Sequence, residues 1–178
     1  MALRRTLIAT AIGATIYEGG GLALEKYMIP GKPVSLNLGN TKVSIHCPTI
    51  NEEQWIRETL ESLRTQSPYR NGDIKLIVLD SYSTDRTVEI AEEYADEVWL
   101  TPRGKLTTRD LGFKKDDADI IVAVDSGDIY PRGWLSRLLK PFENPRVIAT
   151  HGPVLSKDWI WKAPNAWFNL SRPWYSIT

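Results

Sequence analysis

With 178 residues, 42% hydrophobic and 25% charged, the chain is long enough to bury one real core and too apolar to be extensively disordered. Its 22 basic and 22 acidic residues cancel, and no run of Lys or Arg exceeds two, so the charge gives no sign of nucleic acid as a partner. Cys47 is the only cysteine, which rules out an intrachain disulfide and fits a reducing, cytoplasmic compartment.

Arg4-Arg5 lead into an apolar stretch, Leu7 to Tyr17, ended by Glu18 and Gly19-Gly20-Gly21. About 11 apolar residues fall short of the roughly 20 that span a bilayer. The outline is that of a signal peptide, but no small-x-small cleavage site follows. Residues 1–33 are therefore expected to be an apolar helical segment that packs on the domain or anchors it at a membrane surface.

The domain itself is expected over 34–155. Val34 to Leu38 reads as a short strand, Gly39-Asn40 as a turn, and Thr41 to Cys47 as a longer strand that Pro48 stops. From Asn51 the period changes: Trp55, Ile56, Leu60 and Leu63 recur at helical spacing, with Glu and Arg opposite, and Asn51 stands as N-cap. Ser67-Pro68 and Asn71-Gly72 mark a loop. Ile74 to Leu79 is nearly all apolar, the pattern of a strand covered on both faces, and it runs into Asp80.

Asp85 to Ala95 reads as a second amphipathic helix, Glu97 to Leu100 as a strand, and Lys105 to Phe113 as a weak helix. Asp119 to Val124 is the most hydrophobic strand, and it delivers Asp125-Ser126-Gly127-Asp128. Pro131 stands where a further helix starts, with Trp134, Leu135, Leu138 and Leu139 inward, and Val147 to Thr150 reads as a last strand. Alternating strands and helices define an α/β fold with a mostly parallel, Rossmann-like sheet flanked by helices. No Gly-rich turn follows the first strand, so the dinucleotide fingerprint is absent. In such sheets ligands lie beyond the carboxyl ends of the strands, where Pro48, Thr49, Asp80 and Asp125 all fall. Crowded carboxylates repel and resist desolvation, so two acids just past a buried strand invite a metal ion or a metal-bearing phosphate ligand.

The order of these motifs resembles the family-two glycosyltransferases, which have the GT-A fold. The family's first-strand signature is matched by Pro48-Thr49-Ile50-Asn51-Glu52, and its second-strand loop by Asp80-Ser81-Tyr82-Ser83-Thr84-Asp85-Arg86-Thr87. A Gly-Lys-x-x-x-Arg motif is matched by Gly104-Lys105 through Arg109, and the Asp-x-Asp loop with its downstream Trp-Leu by Asp125 onward and Pro131 to Leu135. The resemblance implies a nucleotide-diphospho-sugar donor and a divalent metal, Mn2+ or Mg2+. Pro48, Thr49, Asn51, Glu52 and Asp80 are then expected around the nucleoside, with Lys105 and Arg109 at the diphosphate. Asp125 would lie at the ribose or metal, and Asp128 at the metal.

The acceptor implied is a glycan, a lipid-linked sugar or a protein. Two departures from the family pattern stand out. Gly127 occupies the middle metal-binding position, and no Glu-Asp pair follows Asp128 to supply a general base. Asp158, the only later Asp, is the candidate base. These departures leave an alternative, a degenerate member that binds a nucleotide or serves a structural role. Residues 156–178 form an aromatic-rich tail with Trp159, Trp161, Trp167 and Trp174, suited to sugar stacking or peripheral membrane contact.

Overall fold

The computed structural model describes residues 35–66, 68 and 74–151. The expected N-terminal segment (1–33), most of the Ser67–Gly72 loop, and the aromatic tail (156–178) with Asp158 lie outside them. Residues 31–143 form one compact unit. Its elements are β1 (Val43–Thr49), α1 (Ile56–Arg64), β2 (Ile74–Asp80), α2 (Thr87–Tyr94), β3 (Glu97–Leu100), α3 (Lys105–Lys115), β4 (Ile120–Ala123) and α4 (Trp134–Leu139). A 3-10 turn, Lys140–Glu143, closes it.

The four strands make one parallel sheet in the order β3-β2-β1-β4. Parallel pairing puts every carboxyl end on one edge, and Thr49 stands directly opposite Asp80 there. On one face, Val43, Ile45 and Cys47 of β1 and Leu76 and Val78 of β2 join Ile56, Leu60 and Leu63 of α1, Ile90 of α2 and Leu135 of α4 in the main core. The opposite face is covered by α3. A side chain at Gly112 would stand 2.7 Å from Leu79 and 2.9 Å from His46, so only glycine lets α3 come this close. His46 and Asp116 pin the far end of that helix: His46 Nε2 lies 2.6 Å from Asp116 Oδ2, with both side chains buried. Phe113 stacks on His46, whose ring is packed in the interior.

Several expectations are corrected. Pro48 does not stop β1, which runs on to Thr49. Backbone groups of a parallel strand alternate between its two neighbours. The His46 carbonyl accepts from Val124 and the Thr49 carbonyl from Ser81, so Pro48 turns its missing N–H toward the β4 side, where pairing has already ended at Ala123. The proline therefore costs no ladder bond.

Residues 35–38 are not a strand. Asn37 bonds side chains instead, its N–H donating to Glu143 and its Oδ1 accepting from Gly39, while Leu36 and Leu38 pack on the core. Helix α1 starts at Ile56 rather than after Asn51, and Trp55, expected inward, is 55% exposed. Helix α4 starts at Trp134, because Gly133 adopts a left-handed φ of 79° just before it. Residues 144–151, the described part of a second unit, contain no strand at Val147 to Thr150. Asn144 instead closes a turn, its Oδ1 accepting from the Arg146 amide and its carbonyl from the Val147 amide.

Candidate functional site

Three loops meet at the carboxyl edge of the sheet. After β1, Asn51 takes a φ of 52°, strained for a residue with a side chain and common where a site over-determines the backbone. It is not a helix cap. Its N–H donates to Ser83 Oγ (2.9 Å) and its Oδ1 accepts from the Thr84 N–H (2.8 Å), tying the first loop to the second. The Glu52 N–H donates to Thr87 Oγ1 at 2.7 Å, leaving the Glu52 carboxylate half-buried beside the strand tips. Asp85 is structural: its carboxylate accepts from the Thr87 amide and hydroxyl and from the Glu53 amide.

Asp80 is fully buried at the tip of β2, accepting from the Ser83 N–H at 2.8 Å and the Ser83 hydroxyl at 2.5 Å. Beside it Thr49 Oγ1 is buried with no hydrogen-bond partner among the described residues. An orphaned hydroxyl of this kind costs free energy unless something completes it.

The loop after β4 is charged. Asp125 Oδ1 accepts from Arg109 (2.7 Å) and Lys105 (2.9 Å), which are four residues apart on the first turns of α3. Arg109 also donates to the Val124 carbonyl at 3.2 Å. Burial alone would raise the Asp125 carboxyl, but the Lys105 ammonium and Arg109 guanidinium outweigh it and hold it below the usual aspartate range. Asp128 goes the other way, raised by burial and by the charge of Asp125. Tyr130 lies between them, its hydroxyl accepting from the Asp125 amide at 3.0 Å.

Cys47 is fully buried in β1, two residues before its tip. Burial pushes its thiol up to about 12, and the carboxylates of Asp125, Glu52 and Asp128 add to the rise. Cys47 belongs to the main core.

Thr49, Asn51, Glu52, Asp80, Lys105, Arg109, Asp125 and Asp128 are therefore brought to one edge, with Pro48 in the strand behind them. Sequence reading missed Ser83 as the partner of Asp80, and Tyr130 and Thr59 as supports of the acid loop. Thr59 left a signal, a polar residue one position before Leu60 on the buried side of α1; Tyr130 left none.

Among the described residues no group of three or more His, Cys, Asp or Glu side chains gathers as a metal site. The donor chemistry nevertheless fits a hard cation. Two carboxylates, Asp125 and Asp128, sit on one four-residue loop. Oxygen ligands from a diphosphate and water would complete such a shell, as Mg2+ and similar ions prefer.

The sequence profile described as Glycosyl transferase family 2 matches residues 44–176, and the chain belongs to this family. An uncharacterized glycosyltransferase of Haemophilus influenzae is 31% identical over 117 residues, 62% of this chain and 46% of its own length. A hyaluronan synthase of Streptococcus pyogenes is 32% identical over 151 residues, 78% of this chain and 34% of its own. The chain thus spans less than half the length of these relatives.

Among solved structures, a mannosyltransferase from Pyrobaculum calidifontis in complex with GDP-Man and Mn2+ aligns with a TM-score of 0.58 at 23% identity. The alignment covers 86% of this chain and 49% of that one. Residues 1–349 of S. aureus TarS in complex with UDP align with a TM-score of 0.51 at 26% identity, covering 60% of this chain and 33% of that one. The architecture, a parallel sheet with helices on both faces, is that of the GT-A glycosyltransferases. No helix among the described residues is long and apolar enough to cross a membrane.

Proposed function

We propose that the chain transfers a sugar from a nucleotide-diphospho-sugar to an acceptor hydroxyl, with inversion and with a divalent metal ion. The observation that carries this reading is Asp125, gripped by Lys105 and Arg109 beside Asp128, on the same sheet edge as the register-paired Thr49 and Asp80. Neutral and acidic acceptors stand at one side of that edge, and cations with paired acids at the other. A nucleoside diphosphate has the matching polarity, with N–H and O–H donors at the base and ribose and negative charge at the phosphates.

In this reading Thr49 Oγ1 and the Asp80 carboxylate meet the edge of the base, and Glu52 accepts from the nucleoside. Arg109, the less exposed of the two cations, keeps Asp125 in place, while exposed Lys105 is free to exchange Asp125 for a phosphate oxygen. Asp125 and Asp128 would hold the metal ion, and when bound it supplies Lewis-acid stabilisation of the departing diphosphate. Asp158, outside the described residues, is the proposed base, a role that requires a group able to take the proton of the acceptor hydroxyl. A relative that binds GDP-Man with Mn2+ and one that binds UDP support the donor class.

The test is a panel of nucleotide sugars with manganese, scored for transfer and for slow hydrolysis. Release of nucleoside diphosphate from one sugar donor, abolished by EDTA, supports the reading. Nucleotide binding with no turnover on any donor would instead favour a binding or structural role.

A further inference from the structure

Helix α1 carries a polar stripe along its otherwise apolar buried side. Thr59, Ser62 and Gln66 follow one another at i, i+3 and i+7, with Gln66 just beyond the helix end, and Thr59 and Gln66 are fully buried. All three bond the backbone that follows β4. Thr59 Oγ1 accepts from the Gly127 amide at 3.0 Å, and Ser62 Oγ accepts from the Tyr130 amide at 3.0 Å. Gln66 Nε2 donates to the carbonyls of Tyr130 (3.1 Å) and Pro131 (3.2 Å), and its Oε1 accepts from the Leu135 amide at 3.3 Å.

This backbone has no ladder of its own to hold it. Pairing with β1 stops at Ala123, and the chain turns through positive φ at both Gly127 and Gly133. Only Ser126 and Gly127 separate Asp125 from Asp128, so the direction of the Gly127 amide bears on how the two acids are aimed. Tyr130 passes the constraint on: held by Ser62, it turns its hydroxyl back to the Asp125 amide and lies 3.5 Å from Asp128 Oδ2.

We propose that Thr59, Ser62 and Gln66 are positioning residues, a template on α1 that aims Asp125 and Asp128 at a divalent cation. This rests on the donor-site reading above. Gly127, where the family pattern expects an acid, turns the chain at a φ of 85° that side-chain-bearing residues rarely adopt, and that turn presents its amide to Thr59. Groups one shell removed from metal ligands typically change metal affinity 10- to 100-fold when removed.

The test titrates manganese into the full chain in the presence of whichever of UDP and GDP it binds, reading free Mn2+ by electron paramagnetic resonance. Thr59→Val keeps the shape and deletes the acceptor. It is expected to weaken manganese binding about 10-fold or more, with faster hydrogen exchange at the Gly127 amide and unchanged nucleotide binding without metal. Thr59→Ser, which restores the hydroxyl, is expected to recover the affinity. A merely structural role would lower the melting temperature in Thr59→Val yet leave manganese affinity at the unchanged level, and that result overturns the inference alone. Should Thr59→Val fail to fold, Ser62→Ala at a half-buried position carries the same reading through Tyr130 and is judged by the same outcomes. If the unchanged chain shows no manganese-dependent nucleotide binding, the donor-site reading and this inference fall together.

Discussion

Beyond β1 and β2 the chain is knitted by short hydrogen bonds among its own loop residues, Asn51 to Ser83 and Thr84, Glu52 to Thr87, Asp80 to Ser83. Beyond β4 it is held by charge and by a neighbouring helix, with Lys105 and Arg109 on Asp125 and Thr59 on Gly127. The first region has used nearly all its polar groups internally and leaves a buried Thr49 hydroxyl to spare. The second keeps charges that are balanced against one another and can be exchanged. One side of the edge is shaped in advance for a neutral, hydrogen-bonding ligand part, and the other answers to ions.

The contrast breaks most sharply at Asp125. Asp125→Ala is expected to lower kcat/KM by about 100-fold or more, ~2.7 kcal/mol of transition-state stabilisation, in a transfer assay on whichever donor is accepted. A comparable loss from Ser83→Ala would erase the distinction between the two regions.

The next largest effect lies behind α3. Asp116→Asn is expected to destabilise the fold by ~2 kcal/mol in urea melts, since a hydrogen bond to a buried charged group is lost. Burial would raise the Asp116 carboxyl, but bonds from His46, Ser44 and the Ala118 amide outweigh it and hold it below the ordinary value. A carboxyl depressed in the fold adds stability above its unfolded pKa of about 4 and loses it as pH falls through the lower folded value. Melting temperature should therefore drop as the pH is taken below about 4, and that part of the acid limb should flatten in Asp116→Asn.

A smaller effect belongs to the first region. Asn51→Ala removes the bonds that Oδ1 accepts from the Thr84 amide and hydroxyl and leaves a β-carbon at positive φ, for an expected cost of ~1–2 kcal/mol in thermal melts, with Asn51→Gly milder. Smallest of all, Lys105→Ala should change stability by less than about 1 kcal/mol, because the pair is exposed. It should nonetheless raise KM for the donor, and more so at low salt than at high salt.

Much of this was legible in the chain itself. Strands β2 and β3 and helices α2 and α3 fall within two residues of their expected bounds, because runs of apolar residues bounded by turn formers are local signals. The three strand tips could be read for the same reason. What failed depended on partners distant in sequence. Val34 to Leu38 has a strand's alternation, yet residues 35–38 find bonds to side chains instead of a neighbouring strand. Asn51 looks like a cap, but its side chain is taken by the loop after β2, 33 residues on. Pro48 reads as a stop only until its N–H side is known to face no partner. Ser62 looks like the solvated flank of an amphipathic helix, and although Thr59 falls on the buried side, only the position of the acid loop reveals what either one bonds.

The most direct measurement is a thermal-shift panel of uridine and guanosine diphosphates, with and without manganese, on the unchanged chain and on Asp125→Ala. A rise in melting temperature for one nucleotide that requires manganese, and that disappears in Asp125→Ala, is the predicted result. An equal response from both proteins, or none from either, would contradict a donor site at this edge of the sheet.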